Sequence, residues 1–175
     1  MKRISALILI LVILLVCSVS LAETMELTAG LYVFAAQEGA ALTVTGADGF
    51  SHTYTPENGA EYCFYLPEGA NLSYEGGEVL PLAVEGLFSD EEQTLGPVGR
   101  YFVGAQLPRG GFSVRLSEDT ESGYFLVSSM VYESGEGDEP ERIDLTGELV
   151  AKLVLEDGQF IELHGCILTL AEGNG

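Results

Sequence analysis

The sequence predicts an all-β protein in which two related β units pack as a sandwich, with a jelly-roll-like arrangement as the alternative. Three observations predict it. The 22 glycines of the chain separate apolar stretches that are too short for ordinary helices, which favours strands. Turns such as Pro67-Glu68-Gly69 and Glu156-Asp157-Gly158 place Gly where a tight turn needs a positive φ. The third observation is that the two halves of the chain resemble each other.

The first 22 residues have the pattern of a secretory signal peptide and are set aside from the fold. Lys2-Arg3 precedes an apolar stretch over 6–17, and the small residues Ser20 and Ala22 predict cleavage before Glu23. The apolar stretch is shorter than the roughly 20 residues of a membrane-spanning helix. We therefore expect a secreted, extracellular or cell-envelope protein without stable membrane insertion after cleavage, and an uncleaved anchor is the alternative.

Short runs of alternating or continuous apolar residues, bounded by turn residues, give the candidate strands in order. In the first half they are 30–35, 41–45, 50–54, 61–66, 71–74 and 79–84. In the second half they are 101–105, 111–116, 124–132, 142–145, 149–155, 160–164 and 167–170. One short helical turn is predicted at 89–95, between the units, because Ser89 and Glu92 have the spacing of a capping box.

The resemblance between the halves extends to individual positions. At a spacing of 89 residues, the residues Phe64, Leu66, Gly69, Leu72, Tyr74 and Gly76 match Leu153, Leu155, Gly158, Ile161, Leu163 and Gly165. The opening strands match at a spacing of 80, so the second unit has about nine extra residues, which we assign to the acidic loop at 133–141. The units therefore span 23–85 and 100–175 and are joined by 86–99.

Charge restricts the partners. The chain has 27 acidic and seven basic residues, a formal net charge of −20 at pH 7. Such a surface repels polyanions, which excludes nucleic-acid binding and disfavours anionic membranes. The partner is unknown, and a basic protein or another envelope component fits the charge. A uniformly acidic surface also keeps a secreted protein soluble without any partner.

Two cysteines remain after removal of the signal segment, namely Cys63 and Cys166. An oxidising exterior would permit them to form a disulfide. The bond would close a loop of about 100 residues, which the chain-entropy model values at roughly 4 to 5 kcal/mol. The sequence leaves open whether they pair.

No catalytic residue is predicted. Acidic residues are so frequent that two will lie at a glycosidase-like separation by chance, and His52 and His164 accompany no Gly-x-Ser-x-Gly motif. Glu162, His164 and Cys166 alternate as metal ligands might. A two-sided strand explains this pattern without a metal, with Glu162 and His164 on its wet face.

Two acidic loops offer oxygen ligands for calcium, although neither has the spacing of an EF-hand loop. The candidate ligands are Glu118, Asp119, Glu121, Asp138 and Glu139. No cofactor is expected beyond opportunistic calcium binding.

The second half contains a motif of an aromatic residue, Val-Gly, Leu-Pro-x-Gly and an aromatic-x-Val strand, in 101–114, followed by Asp-Gly-Gln-Phe at 157–160. It resembles an uncharacterised β-rich domain of small secreted proteins and lipoproteins of low-GC Gram-positive bacteria. Ala105-Gln106 replaces a charged pair ending in Asp, and Arg109 replaces a small residue. The resemblance implies a secreted β fold and no catalytic residue. The turn residues of this scaffold are Gly69, Gly104, Pro108, Gly110 and Gly158.

The sequence therefore predicts a secreted or cell-surface, non-enzymatic β module with a binding or structural role. A small secreted glycoside-type hydrolase using paired carboxylates is the alternative from another class. A calcium-stabilised adhesion-like domain is the third hypothesis.

Overall fold

A computed structural model describes residues 27–83, 86–88 and 94–171. The predicted signal peptide and residues 89–93 of the predicted helical turn lie outside this part of the chain. The predicted all-β fold is confirmed: the described residues form an eight-stranded curled sheet, a four-stranded sheet and one short helix. No helix in these residues is long and apolar enough to cross a membrane.

The elements follow one another in three groups. The first unit holds β1 (Gly30–Thr45), β2 (Ser51–Tyr54), β3 (Glu61–Leu66) and β4 (Asn71–Pro81). The connection holds β5 (Thr94–Leu95) and the start of β6 (Val98–Phe102), which continues into the second unit. The second unit holds β7 (Gly110–Leu116), β8 (Ser122–Ser129), α1 (Met130–Glu133), β9 (Glu141–Thr146), β10 (Val150–Leu155), β11 (Gln159–His164) and β12 (Cys166–Leu170).

In the first unit two long strands each contribute to two layers. The first part of β1 pairs with β3 and with the end of β4, and its second part pairs with β2 and with the start of β4. The register shifts between Ala36 and Ala41, where β1 bends. The two three-stranded layers enclose an apolar core that includes Phe34, Leu42 and Phe64. The sequence predicted two separate strands for β1 and two for β4, because bends in a strand have the same Gly-rich signature as turns.

The second unit has the same plan with shorter strands. β7 pairs with β10 and β12, and β8 pairs with β9 and β11. Here the chain turns at Gly165 between β11 and β12, instead of continuing as one bent strand. The core of this unit includes Phe112, Phe125, Ile161 and Leu163.

Equivalent strands of the two units pair in the same register. Matching pairs are Gly30 with Leu66 and Gly110 with Leu155, Phe34 with Val79 and Val114 with Leu168, and Val44 with Leu72 and Val127 with Ile161. The number of residues that separates equivalent positions of the two units is 80 in β7, 83 in β8 and 89 from β9 onward. Three of the nine extra residues therefore precede β8 and six lie between β8 and β9. The prediction that all nine lie in 133–141 was wrong, because three of them lengthen the bend between β7 and β8.

β6 pairs with a strand of each unit. It runs parallel to β3, with Arg100 opposite Tyr62, and antiparallel to β11. Tyr101 lies in the core of the second unit and Val98 packs against the core of the first. A third cluster, made of Cys63, Phe102 and Phe160, fills the space between them. The predicted strand at 101–105 is thus shifted to 98–102.

The helix α1 replaces the end of a predicted strand. Ser129 accepts a hydrogen bond at its side chain from the backbone N–H of Tyr132, at 3.2 Å, and caps α1. The apolar residues that follow Ser129 continue the strand pattern, so the predicted strand extended to Tyr132. The helix instead turns Glu133 inward, where its side chain is buried.

Candidate functional site

The site begins with a charged side chain in the space between the two units. Arg100 is only 2% exposed. Its guanidinium donates to the backbone oxygen of Cys63 at 2.8 Å, to Ser128 Oγ at 2.9 Å and to Glu133 Oε1. Its carbon Cζ lies 4.0 Å from the ring centroid of Phe160. Arg100 therefore binds groups from both units at once.

Two carboxylates and two phenols surround this guanidinium. The hydroxyl of Tyr54 donates a hydrogen bond to Glu133 Oε2, and the hydroxyl of Tyr62 donates one to Glu162 Oε2. The same Glu162 oxygen lies 3.7 Å from Nε of Arg100. In the described residues every buried side-chain nitrogen and oxygen has a hydrogen-bond partner. No buried side-chain nitrogen or oxygen of this network is therefore left for a further ligand inside the described part of the chain.

The network reaches the surface through His164. Its Nε2 lies 2.6 Å from Glu162 Oε1, and its Nδ1 lies 3.3 Å from Glu57 Oε1. Both ring nitrogens thus face carboxylates, and only the doubly protonated imidazolium can donate from both. Glu57 lies in the first unit and His164 in the second, so this ion pair also joins the two units.

Beyond His164 a row of stacked side chains lines an open cleft of about 750 Å³. The rings of His164 and Tyr124 stack at 4.2 Å, and the Arg142 guanidinium lies 3.6 Å from the Tyr124 centroid. Arg142 in turn donates to Asp144 at 2.8 and 3.0 Å. The cleft lies where Glu57 of the first unit meets β8, β9 and β11 of the second.

The ionisation of the network follows from its geometry. Burial opposes the charge of Arg100, but Glu133, the two phenols and Glu162 outweigh it and raise the pKa of the guanidinium. Burial raises the pKa of Tyr54 and Tyr62 above the usual phenol value. Burial would also raise the pKa of Glu162, but hydrogen bonds from His164 and Tyr62 and the charge of Arg100 lower it below its usual range.

Opposing effects act on the pKa of His164. Partial burial lowers the pKa of its imidazole, but the hydrogen bonds and charges of Glu162 and Glu57 outweigh burial and raise it. The Glu162 carboxylate therefore keeps its charge to a lower pH, and the imidazole keeps its proton to a higher pH, than the free groups do. This arrangement binds and neutralises charge. It is unsuited to a general acid of the glycosidase type, which needs a carboxyl with a raised pKa.

The face of β11 that was predicted to be in contact with solvent is largely buried. The side chains of Glu162 and His164 are only 15% and 18% exposed, because the first unit covers this face. Cys166 follows the turn at Gly165 and lies in the core of the second unit. Glu162 and His164 therefore face the first unit, whereas Cys166 lies inside the second.

The cysteines that could have formed a disulfide are both free thiols in the structure. Cys63 lies in the cluster between the units, and Cys166 lies in the core of the second unit. Burial raises the pKa of the Cys63 thiol to about 12. It also raises the pKa of the Cys166 thiol.

The candidate calcium ligands lie on two separate surface turns. Glu118, Asp119 and Glu121 are exposed between β7 and β8, and Asp138 and Glu139 are exposed before β9. No group of three or more His, Cys, Asp or Glu residues within the described ranges is arranged to hold a metal ion.

The turn residues of the scaffold motif lie where the chain reverses. Gly69 and Gly158 occupy equivalent turns of the two units with φ of 71° and 85°. Gly104 and Gly110 also have positive φ, of 102° and 144°, and border the loop that contains Pro108. They shape the loop between β6 and β7 and lie outside the buried ionic network.

Sequence reasoning missed Arg100, Tyr54 and Glu133. One signal was available for Arg100, because a lone cation within the apolar strand Val98–Phe102 is unusual in a chain with only seven basic residues. Nothing local distinguishes Glu133 from the other acids of its loop. Comparison of the chain with protein-family models, curated proteins and solved structures found no match to any of them.

Proposed function

We propose that this protein is a secreted or cell-surface β module with a binding or structural role and no catalytic activity. One observation carries the proposal: the largely buried side chains of Arg100, Glu133 and Glu162 bind one another and are hydrogen-bonded to Cys63, Tyr54 and Tyr62 of the first unit. Catalytic sites instead aim such groups at a cleft and separate their pKa values.

The hydrolase alternative finds less support. The acids that line the cleft are Glu57, which faces His164, and Asp144, which is paired with Arg142. Glu162 lies on the other side of His164 and has a lowered pKa. A retaining or inverting glycosidase needs one carboxyl that stays protonated beside an ionised partner. Most other acids lie on exposed turns, which suits a solvated acidic surface.

A hydrolysis assay tests the absence of catalysis. The purified protein and its Glu162→Gln and Glu57→Gln variants would be incubated with chromogenic glycosides between pH 4 and 8. We expect no turnover by any of the three proteins. Turnover by the wild type that Glu162→Gln abolishes, with its circular dichroism spectrum unchanged, would contradict the proposal and favour the hydrolase.

The binding role is tested with envelope extract from the source organism. The expected partner is a basic protein or another envelope component, since the chain carries a net charge of −20. Immobilised protein should retain such a component at low salt and release it as the ionic strength rises. Retention of the same components by an unrelated protein of equal charge would show that charge alone is responsible and would contradict a specific binding role.

A further inference from the structure

The imidazole of His164 contacts two carboxylates, one from each unit. Its Nε2 lies 2.6 Å from Glu162 Oε1 on the same strand, and its Nδ1 lies 3.3 Å from Glu57 Oε1 in the loop between β2 and β3. An ionised carboxylate only accepts hydrogen bonds, and a neutral imidazole has a single N–H. Both contacts can therefore be hydrogen bonds only while the ring carries two protons.

The two carboxylates differ in what else holds them. The side chain of Glu162 is 15% exposed, accepts a hydrogen bond from the hydroxyl of Tyr62 and lies 3.7 Å from Nε of Arg100. The side chain of Glu57 is 55% exposed and, within the described residues, forms a hydrogen bond or ion pair only with His164. Water can replace the lost donor at an exposed carboxylate but not at a buried one. A neutral ring should therefore keep Glu162 and release Glu57.

The other charged and titratable groups around the ring do not replace this donor. In the described part of the chain they are Tyr62, Arg100, Tyr124, Arg142, Asp144 and Cys166. None of them forms a hydrogen bond with Glu57: Arg142 donates to Asp144, and the Cys166 thiol donates to the backbone oxygen of His164 at 3.4 Å. Burial raises the pKa values of Tyr62, Tyr124 and Cys166, so the imidazole loses its proton before they do as the pH rises.

The backbone that carries Glu57 is fixed without His164. Gly59 N–H donates to the backbone oxygen of Ala36 at 2.9 Å, and Ala36 N–H donates to that of Ala60 at 3.0 Å. The Glu57 side chain can therefore turn away while the loop and β1 stay in place. Because Glu57 and His164 both line the cleft of about 750 Å³, the cleft then loses one contact between the units and one positive charge.

We propose that Glu57 and His164 form a pH-sensitive latch across this cleft, closed when the imidazole carries two protons and open when it carries one. In the open form Nε2–H remains bound to Glu162, and the Glu57 carboxylate is in water. The network around Arg100 does not include Glu57, so the two units stay joined and the change is local. This inference goes beyond the proposed function and does not depend on it.

The position of the remaining proton tests which carboxylate is released. Two-bond ¹H–¹⁵N NMR spectra of the histidine rings distinguish the two neutral forms, and a His52→Gln variant assigns the signals of His164. We expect the neutral ring at pH 9 to carry its proton on Nε2, in the wild type and in Glu57→Gln alike. A proton on Nδ1 in the wild type would mean that the ring keeps Glu57, and this result would overturn the proposal.

Melting temperatures at pH 5.5 and pH 9 test the release of Glu57 itself. Glu38→Gln, the same charge change at an exposed position of β1, is the control. Relative to this control, Glu57→Gln should lower the melting temperature by roughly 1 to 4 °C at pH 5.5 and leave it unchanged at pH 9. Glu162→Gln should lower it at both values, because Arg100 keeps its charge. If Glu57→Gln lowers it equally at both values, or at neither, the latch does not exist.

Discussion

At the scale of single residues, Arg100 determines how the space between the units is filled. A guanidinium that leaves water loses several kcal/mol of hydration, which only close carboxylates and hydrogen-bond acceptors offset. Glu133 and Glu162 supply the charge, and Cys63 and Ser128 supply further acceptors. The chain thus uses one of its few cations to hold two of its many acids inside.

Replacing Arg100 by a residue of similar size tests this account. Arg100→Met should lower the free energy of unfolding by about 3 to 5 kcal/mol, because Glu133 and Glu162 would lose their buried cation. Urea unfolding at pH 7 measures the loss. Arg142→Met is the control: its side chain is 53% exposed, so the loss should be small. Equal losses in the two variants would contradict the central role of Arg100.

The imidazole of His164 gives stability a defined pH dependence. Its pKa is raised above the ordinary 6.5, so its contribution is complete below about pH 6.5 and disappears as pH rises through the raised value. The pKa of Glu162 is lowered below the ordinary 4.5, so its contribution is complete above that value and disappears as pH falls through the lowered one. The two contributions coexist between about pH 4.5 and 6.5.

Thermal melting from pH 3 to 9 checks this window. In the wild type, part of the fall in melting temperature above pH 6.5 should come from deprotonation of His164. His164→Gln cannot donate as a cation to both Glu57 and Glu162, so this part should be missing from its profile. Parallel profiles of the two proteins above pH 6.5 would show that the imidazole does not stabilise the folded state.

At the scale of elements, two equivalent glycines allow the chain to pass from one layer to the other. Gly76 and Gly165 have φ of 64° and 66° at matching positions of the two units. A Cβ at Gly76 would lie 2.9 Å from the Cα and N atoms of Ala40, whereas one at Gly165 would meet only the side chain of Thr120 at that distance. The bend in the first unit is therefore the tighter of the two.

Alanine at Gly39, in the bend of β1, and at Gly76, in the bend of β4, should lower the free energy of unfolding by different amounts. Gly39→Ala, at φ of 75° with no atom near the new Cβ, should show the left-handed strain alone, about 1 to 2 kcal/mol. Gly76→Ala should lose more, because the backbone of Ala40 must also move. Equilibrium unfolding of the two variants measures the difference, and similar losses would mean that this contact relaxes freely.

The sequence predicts best those elements whose structure is determined by neighbouring residues. Alternation and turn glycines predicted β3, β7, β10 and β11 closely, because both signals act within a few residues. The bends in β1 and β4 were missed because Gly marks bends and turns alike. The ionic network was missed because it depends on the register of β6 against β3 and β11, which brings Arg100 beside residues 28 to 62 positions away.

At the scale of the whole molecule, the units share a strand and an ionic network, so we expect them to unfold together. Far-ultraviolet circular dichroism, which reports the strands, and tyrosine fluorescence, which reports the surroundings of the eight tyrosines in both units, should give coincident urea transitions. Arg100→Met should separate the transitions or lower both. Two distinct transitions in the wild type would mean that each unit folds by itself.

The position of β6 also decides what would happen to a chain divided in two. A break between β4 and β5 leaves β6 attached to the second unit, where it still pairs with β11 and still presents its other edge to β3. Glu133 and Glu162 stay with Arg100 in the second fragment, and Tyr54, Tyr62 and Glu57 stay in the first. Each fragment would keep the complement of the other, so we expect two polypeptides divided at this point to assemble into the same fold when they are mixed.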